Sequence, residues 1–105
     1  MNETCDFEMR PDGSVSLSGP LTFGSVPALF RRLERDLAES GPVTTIDLEA
    51  VTGADSAGLA LLLEWQARQH RGGKELHMRG APDSLMRLAE LCESLELLHL
   101  SGRNA

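Results

Sequence analysis

The side chains with most chemical potential are Asp55 and Ser56, the acids Asp47 and Glu49, three histidines and two cysteines. Ser56 and Gly58 match part of the Gly-x-Ser-x-Gly elbow of a serine hydrolase, but Ala54 stands where the first glycine belongs. His70, His77 and His99 fall on three different predicted elements, with no Cys or carboxylate at ligand spacing, so neither a triad nor a metal site is expected. Gly72-Gly73-Lys74 has the composition of a phosphate loop in the wrong order. It follows a helical pattern and precedes a strand, and Glu75 stands where Ser or Thr must follow the Lys. It reads as a turn that stops a helix. Asp47, Glu49 and Asp55 would suit the magnesium pocket of a phosphoacceptor domain. That architecture needs further acids after an early strand, a late Lys and a fully parallel sheet. This chain opens with a hairpin, and its second run ends in Gly19-Pro20, so Asp47 and Glu49 are expected to face solvent at a strand end. No enzyme activity and no cofactor are expected.

The elements that position these residues follow from composition and period. A chain of 105 residues makes one domain, with a core about 5–100 and a frayed tail at 101–105. Hydrophobic residues are 41% and aromatics only 4%, so the core must be Leu, Val, Ile and Ala. Ten basic against sixteen acidic residues give a net charge of −6, which disfavours nucleic acid as a partner. Arg31, Arg32 and Arg35 are interleaved with Glu34 and Asp36, the pattern of a solvated helix face. Cys5 and Cys92 are expected as buried, reduced thiols, although a disulfide between them is also open. The first six residues have neither the basic flank nor the apolar core of a signal peptide. No apolar run nears the ~20 residues of a membrane span. A cytoplasmic protein without direct membrane insertion is expected.

Alternation over 5–10 and again at Val15 and Leu17, across Pro11-Asp12-Gly13, predicts a β-hairpin ended by Gly19-Pro20. From about Gly24 the period becomes helical, with Val26, Leu29, Phe30, Leu33 and Leu37 on one face. Either Ser25 or Thr22 can open this helix, and Ser40-Gly41-Pro42 stops it. A central strand over 43–48 and a loop over 49–54 lead to a second helix over 56–70, with Leu59, Leu62, Leu63 and Gln66 along one face. A strand over 75–79 follows. A third helix, capped by Asp83, then carries Leu85, Leu88, Ala89, Leu91 and Cys92 as its apolar stripe. Residues 95–100 read as a short strand or irregular chain. The order implies an α/β fold, an N-terminal hairpin followed by βα units, with helices packed on a mixed sheet.

Asp55 or Ser56 can cap the second helix, and the small Ala57 and Gly58 follow. Glycine within a helix costs about 1 kcal/mol relative to alanine, so something must approach closely at Gly58. That can be the sheet beneath the helix, or a partner above it.

The element order, the Asp-Leu-Glu strand and Asp55-Ser56-Ala57-Gly58-Leu59 resemble a STAS domain, the SpoIIAA-like fold of anti-sigma-factor antagonists, over residues 7–98. The resemblance implies that Ser56 is a regulatory phosphorylation site, and that Asp55, Ser56, Ala57, Gly58 and Leu59 form a partner surface. Antagonists carry a bulky residue before the motif Asp and a second Ser, where this chain has Gly53-Ala54 and Ala57. The run 55–63 is more similar to Asp-Thr-Gly-Gly-Leu-Ala-Leu-Leu-Leu in the STAS subunits of Mla-type phospholipid-trafficking ABC transporters. Phe30 falls where such subunits have a Trp, and the likeness implies a shared packing or partner-contact position there, so Phe30 joins the expected partner surface. This likeness implies an ABC transporter ATPase subunit as partner, a role in outer-membrane lipid asymmetry, and a peripheral place at the membrane through that partner. The alternative it leaves is an antagonist binding an anti-sigma factor and switched by a serine kinase.

Overall fold

The computed structural model describes residues 4–37 and 43–102. β1 (Asp6–Met9) and β2 (Ser14–Leu21) form the expected hairpin. Asp12 Oδ1 accepts from the Ser14 N–H at 2.9 Å and the Ser14 hydroxyl at 2.7 Å, and Gly13 takes a φ of 90°. Both are the chemistry of a Pro-Asp-Gly turn. β3 (Thr45–Ala54), β4 (His77–Ala81) and β5 (Leu100–Gly102) then add in parallel, giving the order β1-β2-β3-β4-β5. The crossovers carry α1 (Val26–Leu37), α2 (Ser56–Arg71), and the pair α3 (Asp83–Leu91) and α4 (Leu95–Leu98).

Each crossover steps the same way along the sheet, and crossovers of this kind are right-handed, so all the helices lie on one face. Contacts of α2 with α1, α3 and α4 agree. One face of the sheet is therefore packed by helices, and among the described residues no helix covers the other. That is why the strands alternate instead of reading as continuous apolar runs. Val15, Leu17, Ile46, Leu48, Met78 and Leu62 fill the core between sheet and helices. Asp47 faces the other way, its side chain 16% exposed between Arg10 at 3.6 Å and Arg79 at 3.8 Å.

Several boundaries differ from the sequence reading. β2 runs through Gly19-Pro20 to Leu21. β1 pairs only as far as Ser18, so the missing N–H of Pro20 falls beyond its partner strand, at an irregularity where proline is tolerated. β3 continues through 49–54, which the sequence gives as a loop. Two extra residues in β3 explain this: Ser16 and Ser18 pair with Asp47 and Ala50, and Gly19 and Pro20 with Val51 and Gly53. Each bulge resets the alternation, so Val51 is buried three residues after Leu48. Asp47 consequently sits in mid-strand, not at a strand end.

Farther along, Asp83 is the first residue of α3 with Pro82 in the cap position, and no side chain caps the helix. Leu85 and Ala89 are buried, but Leu91 is 82% exposed and Cys92 is exposed, so neither belongs to the core stripe. Both cysteines are free thiols, and only Cys5 is buried. Residues 95–100 resolve into α4 and the start of β5, and Ser101 and Gly102 belong to that strand instead of a frayed tail. The expected helix stop at Ser40-Gly41-Pro42 lies outside the described residues.

Candidate functional site: the start of the second helix

The end of β3 delivers the chain to α2 through Asp55, which has the extended backbone of an N-cap (φ −116°, ψ −168°). Its carboxylate is divided between two tasks. Oδ1 accepts from the Ala57 N–H at 2.9 Å and the Gly58 N–H at 3.3 Å, satisfying two free donors of the helix start. Oδ2 accepts from the Phe23 N–H at 3.0 Å, across to the β2–α1 turn. The backbone joins the same link, since the Asp55 N–H donates to the Leu21 carbonyl at 3.1 Å. Of the two cap candidates for α2, the structure uses Asp55.

The 22–25 turn is itself fixed from within. The buried Ser25 hydroxyl donates to the Pro20 carbonyl at 2.6 Å and accepts from the Thr22 N–H at 2.9 Å. Ser25 stands before the first residue of α1, but its side chain turns back into the loop. On this frame Phe23 is held 71% exposed.

Ser56 is exposed and Ala57 half-buried, so the helix start offers a hydroxyl and the positive end of a helix dipole to the outside. Gly58 and Leu59 are buried. A Cβ on Gly58 would run into the Leu21 carbonyl oxygen and lie 2.8 Å from the Leu21 Cβ. The close approach that the glycine permits is therefore that of β2 inside the fold. The reading of Gly58 as space for a partner is corrected, and outward contact at this helix start falls to Ser56 and Ala57.

Phe30 is half-buried on α1 and faces α2, with the Arg68 guanidinium 5.1 Å from its ring centre. Glu34 at 2.8 Å and Glu64 at 2.9 Å hold that guanidinium, Glu34 foremost, and push its pKa up. Leu61 and Trp65, which the sequence reading passed over, close the base of the α1–α2 groove together with Phe30 and Leu33. Phe23 was also missed. The signal available was an aromatic in a short turn of a chain with few aromatics, directly after a strand.

Asp47 and Asp55 do not converge: one lies on the sheet face away from the described helices and the other caps α2. His77 and His99 approach edge to face with ring centres 5.9 Å apart, while His70 lies on α2. Among the described residues no three His, Cys, Asp or Glu side chains gather as a metal ion would require. No described helix is long and apolar enough to cross a membrane.

A five-stranded mixed sheet with all helices on one face, and a capped helix start after the central strand, is the architecture of a STAS domain. A family model described as Mlab, STAS domain matches residues 6–99, and the chain belongs to this STAS family. STAS domains are in general non-catalytic. Among curated proteins no match is found.

Proposed function

We propose that this chain is the accessory STAS subunit of an Mla-type phospholipid ABC transporter, docking on its ATPase through the start of α2. The observation that carries the reading is the exposed Ser56 at a rigidly capped helix start, in a chain matched by the Mlab model. The surface suits a protein partner. Ser56 and the helix dipole favour carbonyl or acidic groups, and exposed Phe23 supplies an aromatic anchor of the kind that dominates interfaces. Because Asp55 and Ser25 already hold the Phe23 turn, little ordering entropy opposes docking. Such a subunit works in the cytoplasm and reaches the membrane only through its partner.

The test is capture of the tagged chain from gently solubilised membranes of its native host, with bound proteins identified by mass spectrometry. An ABC ATPase is expected in the wild-type sample. Ser56→Glu and Phe23→Ala should each weaken capture at least tenfold while keeping wild-type thermal stability. Recovery of the chain without any ABC ATPase sinks the reading.

A second reading draws on the same exposed hydroxyl: an anti-sigma-factor antagonist switched by phosphorylation of Ser56. A phosphate there adds about −1.5 to −2 charge beside Asp55 and would expel an acidic or tightly packed partner. It takes precedence if a serine kinase from the same host phosphorylates Ser56 and thereby alters binding to a sigma regulator.

A further inference from the structure

Two polar atoms of the α1–α2 groove are buried without a hydrogen-bond partner among the described residues: Trp65 Nε1, a donor, and Gln69 Oε1, an acceptor. A buried polar group left unsatisfied is costly, because it has given up water without gaining a partner, and native proteins carry few of them. Here one of each sign lies four residues apart on the same helix, and both side chains line the same groove. Trp65 is only 6% exposed.

The groove has a volume of about 390 Å³ between Phe30, Leu33 and Glu34 of α1 and Leu61, Trp65, Arg68 and Gln69 of α2, with the Glu34–Arg68 ion pair at 2.8 Å joining the two helices. On α2 the groove begins at Leu61, one helical turn beyond Ala57 of the helix start. A surface that begins at Ser56 and Ala57 therefore leads along α2 toward Trp65 and Gln69.

We infer that the docking surface extends along this groove, and that a polypeptide segment of the partner ATPase fills it, its amide groups hydrogen-bonding to Trp65 Nε1 and Gln69 Oε1. The inference rests on the proposed function and deepens it. Polypeptide is the occupant that the chemistry selects. Each of its amides carries a carbonyl for the indole N–H and an N–H for the Gln69 carbonyl, while its side chains suit the apolar walls. Both atoms are covered in the free chain, so the segment reaches them as the groove-lining side chains yield to it. The two unsatisfied groups then gain partners only in the complex, which favours binding over the free state.

Trp65 is the sole tryptophan, so ¹⁵N-labelled chain gives a single indole N–H cross-peak. The probe is the purified, unlabelled ATPase subunit of the Mla-type transporter from the same host. On its addition the cross-peak should move downfield, and its exchange with solvent deuterium should slow. Replacing Trp65 with benzothienylalanine keeps the shape and swaps the N–H for sulfur. Affinity should then fall about five- to tenfold, with the free chain no less stable. Gln69→Met should do the same from the acceptor side. If the ATPase binds but the indole signal stays in place, or the isostere binds with full affinity, the groove inference is overturned and the helix-start reading stands. If the wild-type chain does not bind the ATPase at all, both fall.

Discussion

Asp55 and Phe23 are 32 residues apart in sequence and joined by a 3.0 Å hydrogen bond from the Phe23 N–H to Asp55 Oδ2, while Oδ1 caps α2. One carboxylate thereby sets both the direction of the helix and the position of the exposed aromatic beside it. Asp55→Ala removes all three side-chain bonds and should cost about 2–3 kcal/mol in denaturant unfolding. Asp55→Asn separates the two tasks. Asparagine caps helices as well as aspartate, but with its amide oxygen on the helix its NH₂ faces the Phe23 N–H. Only about 1 kcal/mol should be lost, with faster hydrogen exchange at the Phe23 amide. Unchanged exchange at that amide in Asp55→Asn would show that the carboxylate does not hold the turn.

Gly58→Ala sets helix propensity against packing. Propensity alone favours alanine by about 1 kcal/mol in a helix interior. The new methyl would, however, collide with the Leu21 carbonyl oxygen, which is backbone of a paired strand and accepts the Asp55 N–H. Backbone cannot swing aside as a long side chain can, so a net loss of about 2–3 kcal/mol is expected. A Gly58→Ala chain as stable as wild type would mean that the helix start is loosely seated on β2.

The sheet and its helices were largely legible because apolar spacing changes cleanly from two to nearly four, as at Val15 and Leu17 against Leu29 and Leu33. The errors have local causes. The bulges in β3 break the alternation at 49–53, so a strand looked like a loop. Leu91 and Cys92 fit an apolar stripe by spacing, but α3 ends at Leu91 and both side chains are exposed. The Asp55 cap was legible as one of two candidates, since Asp and Ser cap equally well. Its second bond, to Phe23, was not. A contact across 32 residues leaves no mark on local pattern, and neither does the pairing of Gly58 with Leu21.

Cys5 and Cys92 should separate in a thiol assay. Burial pushes the Cys5 thiol up from 9.0 to about 11, so its nucleophilic thiolate is scarce near neutral pH, whereas Cys92 is exposed. Ellman's reagent should titrate one fast thiol in the native chain and two in denaturant. The same shift makes a stability prediction. The raised folded pKa binds the proton more tightly than the unfolded chain does, so this contribution is complete below pH 9 and is lost as pH climbs from 9.0 through about 11. The window is unusually clean, with no tyrosine and a single lysine, Lys74. Cys5→Ala should flatten the decline over that range. An equally steep decline in Cys5→Ala would assign it to other groups.

Gln66 is the most demanding position on α2. It shares the apolar face of the helix, yet it is buried, and its Nε2 donates at 2.8 Å to both the Leu76 and the Leu98 carbonyls. One amide thus ties α2 to the residue before β4 and to the end of α4. Gln66→Leu preserves bulk and raises helix-face hydrophobicity, which sequence pattern alone would favour. It strips two carbonyls of a shared donor, however, and should cost about 2–3 kcal/mol. Gln66→Glu is the sharper probe because it keeps the shape and changes only the donor. An ionised carboxylate would face two carbonyl oxygens, so the folded chain would hold the acid protonated and raise its pKa above the unfolded value of about 4.3. The sign follows: the Gln66→Glu chain should be closest to wild-type stability below about pH 4.3 and fall behind it as pH rises toward neutral. A pH-independent difference between Gln66→Glu and wild type would mean that the glutamate escapes to solvent and that the two carbonyls are satisfied another way.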